Sequence, residues 1–167
     1  TKHNYLIKDV ADLPDALAEA FYLASTGRRG PVLIDIPKDV FDQEGYFEYN
    51  QARDIPGYKP TYEGHAGQIS RAIKAIRDAK KPVIFGGGGL IRSGASEALR
   101  SLALDARIPV ILSLMGLGAF PGDHPLFLGM PGMHGSVTAN YALTEADLII
   151  ATGVRFDDRV TGKLDSF

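Results

Sequence analysis

At 167 residues, with 45% hydrophobic and 23% charged residues and a formal net charge of −2, the chain can bury a real core as an ordinary globular protein. That balance excludes a broad electrostatic attraction to nucleic acid or anionic lipid, and the lack of cysteine excludes disulfides, thiolate metal sites and cysteine nucleophiles. No apolar run approaches the roughly 18–20 residues of a membrane span, and the start carries no secretory signal pattern, so a cytoplasmic domain is expected.

The first segment reads as helix then strand. Asp12 is placed to cap a helix whose first turn tolerates Pro14, with Asp15 at the positive end of the dipole. Leu13, Ala16, Leu17, Ala20, Phe21 and Ala24 form an apolar stripe at helical spacing, and Gly27 ends it. Val32 to Ile36, bracketed by Pro31 and Pro37, reads as a short buried strand. From about Val40 to Tyr62, glycine, proline, aromatic and charged residues mix without a period, as in a linker, and a domain boundary is expected near residue 60.

A regular alternation follows. Ile69, Ala72, Ile73 and Ile76 mark an amphipathic helix ending at Lys80-Lys81-Pro82, and Val83 to Phe85 is a buried strand leading into Gly86 to Gly89. A second helix is expected from Ala95 to Asp105 and a second strand at Pro109 to Leu112. An irregular loop runs from Met115 to Gly135. A third helix, Val137 to Leu143, leads into the strand Leu148 to Ala151. Helices alternating with short, continuously apolar strands predict an α/β fold, a doubly wound parallel sheet covered on both faces.

Such a sheet binds ligands beyond the carboxyl ends of its strands. Three turns stand there: Gly86 to Gly89, Ser113 to Gly116, and Gly153 to Gly162. Lacking Cβ, the four glycines are expected to let a ligand approach closely and to take positive φ. Taken alone, that run is as readily a tight turn, and it is not a G-x-G-x-x-G fingerprint, so an NAD site is a poor match. The cluster Arg155-Phe156-Asp157-Asp158-Arg159 reads either as a solvated, salt-bridged turn or as a diphosphate site, because guanidinium groups fork onto phosphate oxygens. His134, between Met133 and Gly135, is by itself an ordinary loop histidine. Together the turns favour a dinucleotide or a similarly extended cofactor.

The chain shows no nucleophile elbow, no histidines at metal-ligand spacing and no Walker sequence. The residues therefore predict cofactor binding, with neither catalytic nor metal-ligating residues in this chain.

Gly27 to Val40 resembles the segment that closes the amino-terminal domain of thiamine-diphosphate-dependent carboligases and decarboxylases. The strings Leu114-Met115-Gly116-Leu117-Gly118, Gly132-Met133-His134-Gly135 and Gly153 to Gly162 narrow the resemblance to the acetohydroxyacid (acetolactate) synthase family. It covers essentially the whole chain. It implies the end of the amino-terminal, pyrimidine-binding domain over 1–45, a linker over 46–60, and most of a central FAD-binding domain over 61–167. The family joins pyruvate to a second 2-oxoacid, pyruvate or 2-oxobutyrate, in branched-chain amino-acid synthesis. Thiamine diphosphate and Mg2+ carry the carbanion chemistry, and FAD is mainly structural.

Position by position, the resemblance implies FAD contacts at Arg28, at Gly87, Gly88 and Gly89, and at Ser113, Leu114 and Met115. It adds Gly132, Met133 and His134, then Gly153, Val154, Arg155, Asp157, Arg159 and Val160. Lys38, Asp158 and Arg159 match positions near the substrate channel. Arg29 stands where relatives often have proline, and Ser113 where they often have threonine. The glutamate that activates the thiamine ring is expected before Thr1 and the G-D-G…N motif for magnesium after Phe167, so these residues alone are expected not to turn over pyruvate. A homodimer or tetramer, a small regulatory subunit and a bacterial cytoplasmic setting are further implications. Three rival readings are the central domain of a pyruvate oxidase or glyoxylate carboligase, a stand-alone nucleotide-binding module, and an NAD-dependent deacylase-like domain. The Arg-Phe-Asp-Asp-Arg run weighs against the first, and the zero cysteine count against the last, which needs a zinc-binding quartet.

Overall fold

Short β-branched runs closed by proline or glycine become parallel strands in both halves of the chain, because each run is too short and too uniformly apolar to make an amphipathic helix. A computed structural model of the chain describes residues 1–48, 54–163 and 165. The chain divides into two units, Thr1–His65 and Ala66–Phe167. The expected linker over 46–60 falls in the first unit, with its residues 49–53 outside the described ones, as are 164, 166 and 167.

In the first unit, β1 (His3–Leu6) pairs in parallel with β2 (Val32–Asp35), from His3 beside Val32 to Leu6 beside Asp35. The sequence HNYL gives β1 no apolar run, which hid it from the pattern reading. Helix α1 (Leu13–Ser25) connects the two strands, with Pro14 in its first turn. Asp12 does not cap it. Its backbone is already helical, closing a 3-10 turn at Val10–Asp12 that Asp9 caps by accepting from Ala11 N at 2.9 Å. The buried face also differs from the expected stripe: it is Ala16, Ala20 and Leu23, while Phe21 is exposed. β2 is correspondingly half-buried rather than buried, because only one face of this two-stranded sheet is covered here and Leu33 lies on the other. A short helix α2 (Lys38–Phe41) follows Pro37 and buries Val40 against Ile7 and Ala16.

The second unit opens with α3 (Ala66–Asp78), whose Ile69 and Ile73 are exposed and whose Ile76 alone among the expected stripe reaches the core. Then come β3 (Pro82–Gly86), α4 (Gly88–Arg92), α5 (Ser96–Ala106), β4 (Val110–Leu112), β5 (Phe127–Gly129), α6 (Val137–Glu145), β6 (Leu148–Thr152) and α7 (Asp158–Thr161). Three of these were unforeseen, one of them α7, which lies within the run read as a turn. The four-glycine run enters a helix, α4, at Gly88, and the loop between β4 and α6 contains the edge strand β5.

The four strands lie in the order β5-β4-β3-β6, every pair parallel. Strand periodicity splits the core in two. Ile84, Val110 and Leu112 face Leu99 and Ala103 of α5, whereas Val83, Phe85 and Ile111 face Ala139 of α6. Phe85, Ile84, Ile111, Leu112 and Val110 are sealed from solvent, each contributing about 1.5–3 kcal/mol by burial. The fold is the expected α/β sheet with helices on both faces.

Candidate cofactor site

From β3 the chain moves to β4 and β5 on one side, then returns to place β6 on the other. The switch point is therefore the pair β3 and β6, where Gly86 stands beside Thr152 at the carboxyl ends. That is where an open parallel sheet leaves a crevice for ligands.

Four separate segments converge there. Gly87 N donates to Thr152 O and Gly89 N to Gly153 O, both at 2.9 Å, joining the glycine run to the turn after β6. Ser113 N donates to Gly86 O at 2.8 Å, bringing in the turn after β4. Met133 N donates to Arg159 O at 3.2 Å, bringing in the loop before α6. Asn140 brackets that loop, accepting from Gly132 N at 2.8 Å and donating to Gly132 O at 3.1 Å.

The glycines serve this convergence directly. None of Gly86 to Gly89 has a positive φ, contrary to expectation; their smallness is used for contact between turns. A Cβ on Gly87 would stand 2.3 Å from Gly153 O, one on Gly89 2.6 Å from Gly153 Cα, and one on Gly88 2.9 Å from Met115 O. Left-handed backbone falls instead at Gly132 (φ +105°) and Gly153 (φ +64°). At Gly132 a Cβ would also meet Arg159 O at 2.4 Å.

Apart from Asn140, main chain makes these contacts, and several side chains are left facing out. Leu114, Met115 and Met133 are each about two-thirds exposed (67, 70 and 68%), an apolar rim that water disfavours and a flat ring would cover. His134 is exposed beside Met133. Val154 and Val160 differ: both pack on the Val83–Phe85–Ile111 cluster, so their backbone is what they offer a ligand.

In the turn after β6, Arg155 Nε donates to Asp157 Oδ2 at 3.1 Å, and Asp157 Oδ1 accepts from Arg159 N at 3.2 Å to cap α7. Arg159 Nε stands 4.0 Å from Asp158 Oδ2. Both guanidinium groups are mostly exposed, so these pairs add little stability and leave nitrogen donors for an anion. Arg28 and Lys38 belong to the first unit, where both are exposed.

Sequence reasoning passed over three residues at this edge. Asn140 sits in a helix where nothing marks it as a loop clamp. Thr152 Oγ1 is buried without a hydrogen-bond partner at the end of β6, its sole signal being a polar residue closing an apolar run. Phe156, read as a member of the charged cluster, has a left-handed backbone (φ +51°) and meets Phe85 edge-on at 5.9 Å between centroids.

The other end of the sheet has a groove of about 740 Å3 lined by Ile76, Pro82, Ile108, Leu128 and Tyr141 among others. It lies at the strands' amino ends, away from the switch point. The carboxyl end offers a glycine-built floor, an apolar rim, an orphaned hydroxyl and two exposed arginines, features that suit an extended anionic ligand. Among the described residues no group of three or more His, Asp or Glu is placed to hold a metal ion. No helix among them is long and apolar enough to cross a membrane.

Comparison with known proteins agrees with this architecture. The chain is 55% identical over all 167 of its residues to the acetolactate synthase large subunit of Corynebacterium glutamicum. It is 54% identical over its whole length to the probable acetolactate synthase large subunit of Methanocaldococcus jannaschii, and 49% identical over 99% of its length to that of Haemophilus influenzae. The chain spans 27–29% of the length of these curated relatives. Residues 69–167 match the family described as thiamine pyrophosphate enzyme, central domain. By that match, which takes in the sheet, the glycine floor and the arginine turn, the chain belongs to the thiamine pyrophosphate enzyme central-domain family.

Proposed function

We propose that the carboxyl edge of the four-stranded sheet holds FAD within the catalytic subunit of an acetohydroxyacid synthase. The observation that carries this reading is the convergence of four glycine-rich segments on the switch point between β3 and β6, with Arg155, Arg159, Leu114, Met115 and Met133 left facing out. Whole-length likeness to acetolactate synthase subunits supports it.

In this reading Arg155 and Arg159 bind the diphosphate, while the backbones of Gly87, Gly88, Gly89, Ser113, Gly132, Gly153, Val154 and Val160 approach the cofactor closely. Leu114, Met115, Met133 and His134 cover its apolar surfaces. Asp157 orients Arg155, and Arg28 is assigned a flavin contact by resemblance. Lys38, Asp158 and Arg159 border the substrate channel. FAD supplies a fixed surface and no net redox step, and thiamine diphosphate with Mg2+ supplies the carbanion chemistry from residues outside these. The domain assignment is 1–45 for the end of the pyrimidine-binding domain, 46–60 for the linker and 61–167 for the central domain. Pyruvate and 2-oxobutyrate are the substrates, with catalytic subunits assembled as a homodimer or tetramer, joined by a small regulatory subunit, in the cytoplasm.

The test is to purify the full-length polypeptide and measure its flavin absorbance together with acetolactate formation from pyruvate. Close to one FAD per chain, with activity requiring thiamine diphosphate and Mg2+, is the expected result. Active enzyme that neither carries nor binds flavin would overturn the cofactor assignment, and flavin without acetolactate formation would overturn the activity.

A further inference from the structure

We infer that Phe156 is a positioning residue that holds Arg155 ready for the flavin diphosphate, an inference that rests on the flavin reading above. Bulky side chains adopt left-handed backbone rarely, and only where the surroundings enforce it. Phe156 does so at φ +51°.

One contact that helps to hold it is its ring, which meets Phe85 edge-on at 5.9 Å and an interplanar angle of 73°. Phe85 is sealed in β3, beside the switch point, and does not yield. On the other flank of Arg155, Gly153 is held by the bond from Gly89 N and lies so near α4 that a Cβ would come within 2.5 Å of Leu90 N. Arg155 thus lies between two fixed points. The reversal at Phe156 turns the chain so that Arg155 Nε reaches Asp157 Oδ2 at 3.1 Å while the same carboxylate caps α7.

Burial does not explain the residue: Phe156 remains 45% exposed. What the contact secures is the direction of the arginine beside it.

The test uses the full-length polypeptide stripped of flavin and titrated with FAD. Phe156→Ala is expected to raise the FAD dissociation constant about tenfold, and Phe156→Asn less, because asparagine tolerates left-handed backbone. On an Arg155→Ala background, Phe156→Ala should add less than about twofold, since both changes remove the same interaction. In the flavin-free protein, amide exchange over 155–159 should accelerate with Phe156→Ala and less with Phe156→Asn. If Arg155→Ala weakens FAD binding but Phe156→Ala does not, or if the two losses add in full, the positioning role is overturned and the flavin reading stands. If Arg155→Ala leaves FAD binding intact, the flavin reading fails. In that event unchanged amide exchange in Phe156→Ala also refutes the anchoring of the turn.

Discussion

The two ends of the four-stranded sheet are held together by different means. At the amino end a side chain does the work: Asp147 accepts from Lys80 N at 2.7 Å and Lys81 N at 2.8 Å, and Lys81 Nζ pairs with Glu145 at 3.3 Å. At the carboxyl end, main chain packs on main chain, with Gly87 and Gly89 against Gly153 and Gly132 against Arg159, and one side chain, Asn140, brackets Gly132. The difference bears on function. An edge closed largely by its backbone leaves most of its side chains for a ligand, whereas an edge closed by carboxylates ties those side chains to the fold.

The contrast breaks most severely at the glycines. Gly87→Ala places a methyl 2.3 Å from Gly153 O, backbone against backbone, and should lower unfolding free energy by about 3 kcal/mol in a denaturant titration. Asn140→Ala should cost about 2 kcal/mol by leaving Gly132 N without its acceptor and Gly132 O with Gly135 N alone, with amide exchange rising first in the loop before α6. Gly94→Ala tests backbone conformation alone, because φ is +71° and a Cβ there meets nothing within 4 Å; about 1 kcal/mol is expected. A loss at Gly94 as large as at Gly87 would show that contact between turns is not what the carboxyl end depends on.

The amino end should give the smallest effect, and one that depends on pH. The amides of Lys80 and then Lys81 hold the Asp147 carboxyl below the usual carboxylate range. A lowered folded value means the stabilisation is fully present above the ordinary carboxylate pKa of about 3.9 and fades as pH falls through the folded value. Asp147→Asn should therefore be less stable than the parent at neutral pH, and the gap should close on acidification below about pH 4. A gap that is constant with pH would contradict the charge-based account of this end.

The sequence made the sheet legible because β3, β4 and β6 are nearly continuous apolar runs, and such runs have few other uses in a chain of this length. Where runs were absent, reading failed: HNYL and Phe127–Gly129 become strands only because a neighbouring strand offers its edge. Phe21 was misplaced because a helical stripe fixes a period and not which residues at its margins meet the core; Leu23 took that place. At the carboxyl edge, glycine pattern and arginine spacing marked turns that the fold brings together. The pattern could not tell a glycine used for positive φ from one used for contact, nor reveal that Phe156 reaches Phe85.

The central claim is that the carboxyl edge, and not the amino edge, is the flavin site. Titrating flavin-free full-length protein with FAD, using variants that remove two cations from each end, tests it most directly. Arg155→Ala with Arg159→Ala should weaken binding by about tenfold or more per arginine, while Lys80→Ala with Lys81→Ala should leave it within about twofold. Equal losses from both pairs, or undiminished affinity in the arginine pair, would contradict the account.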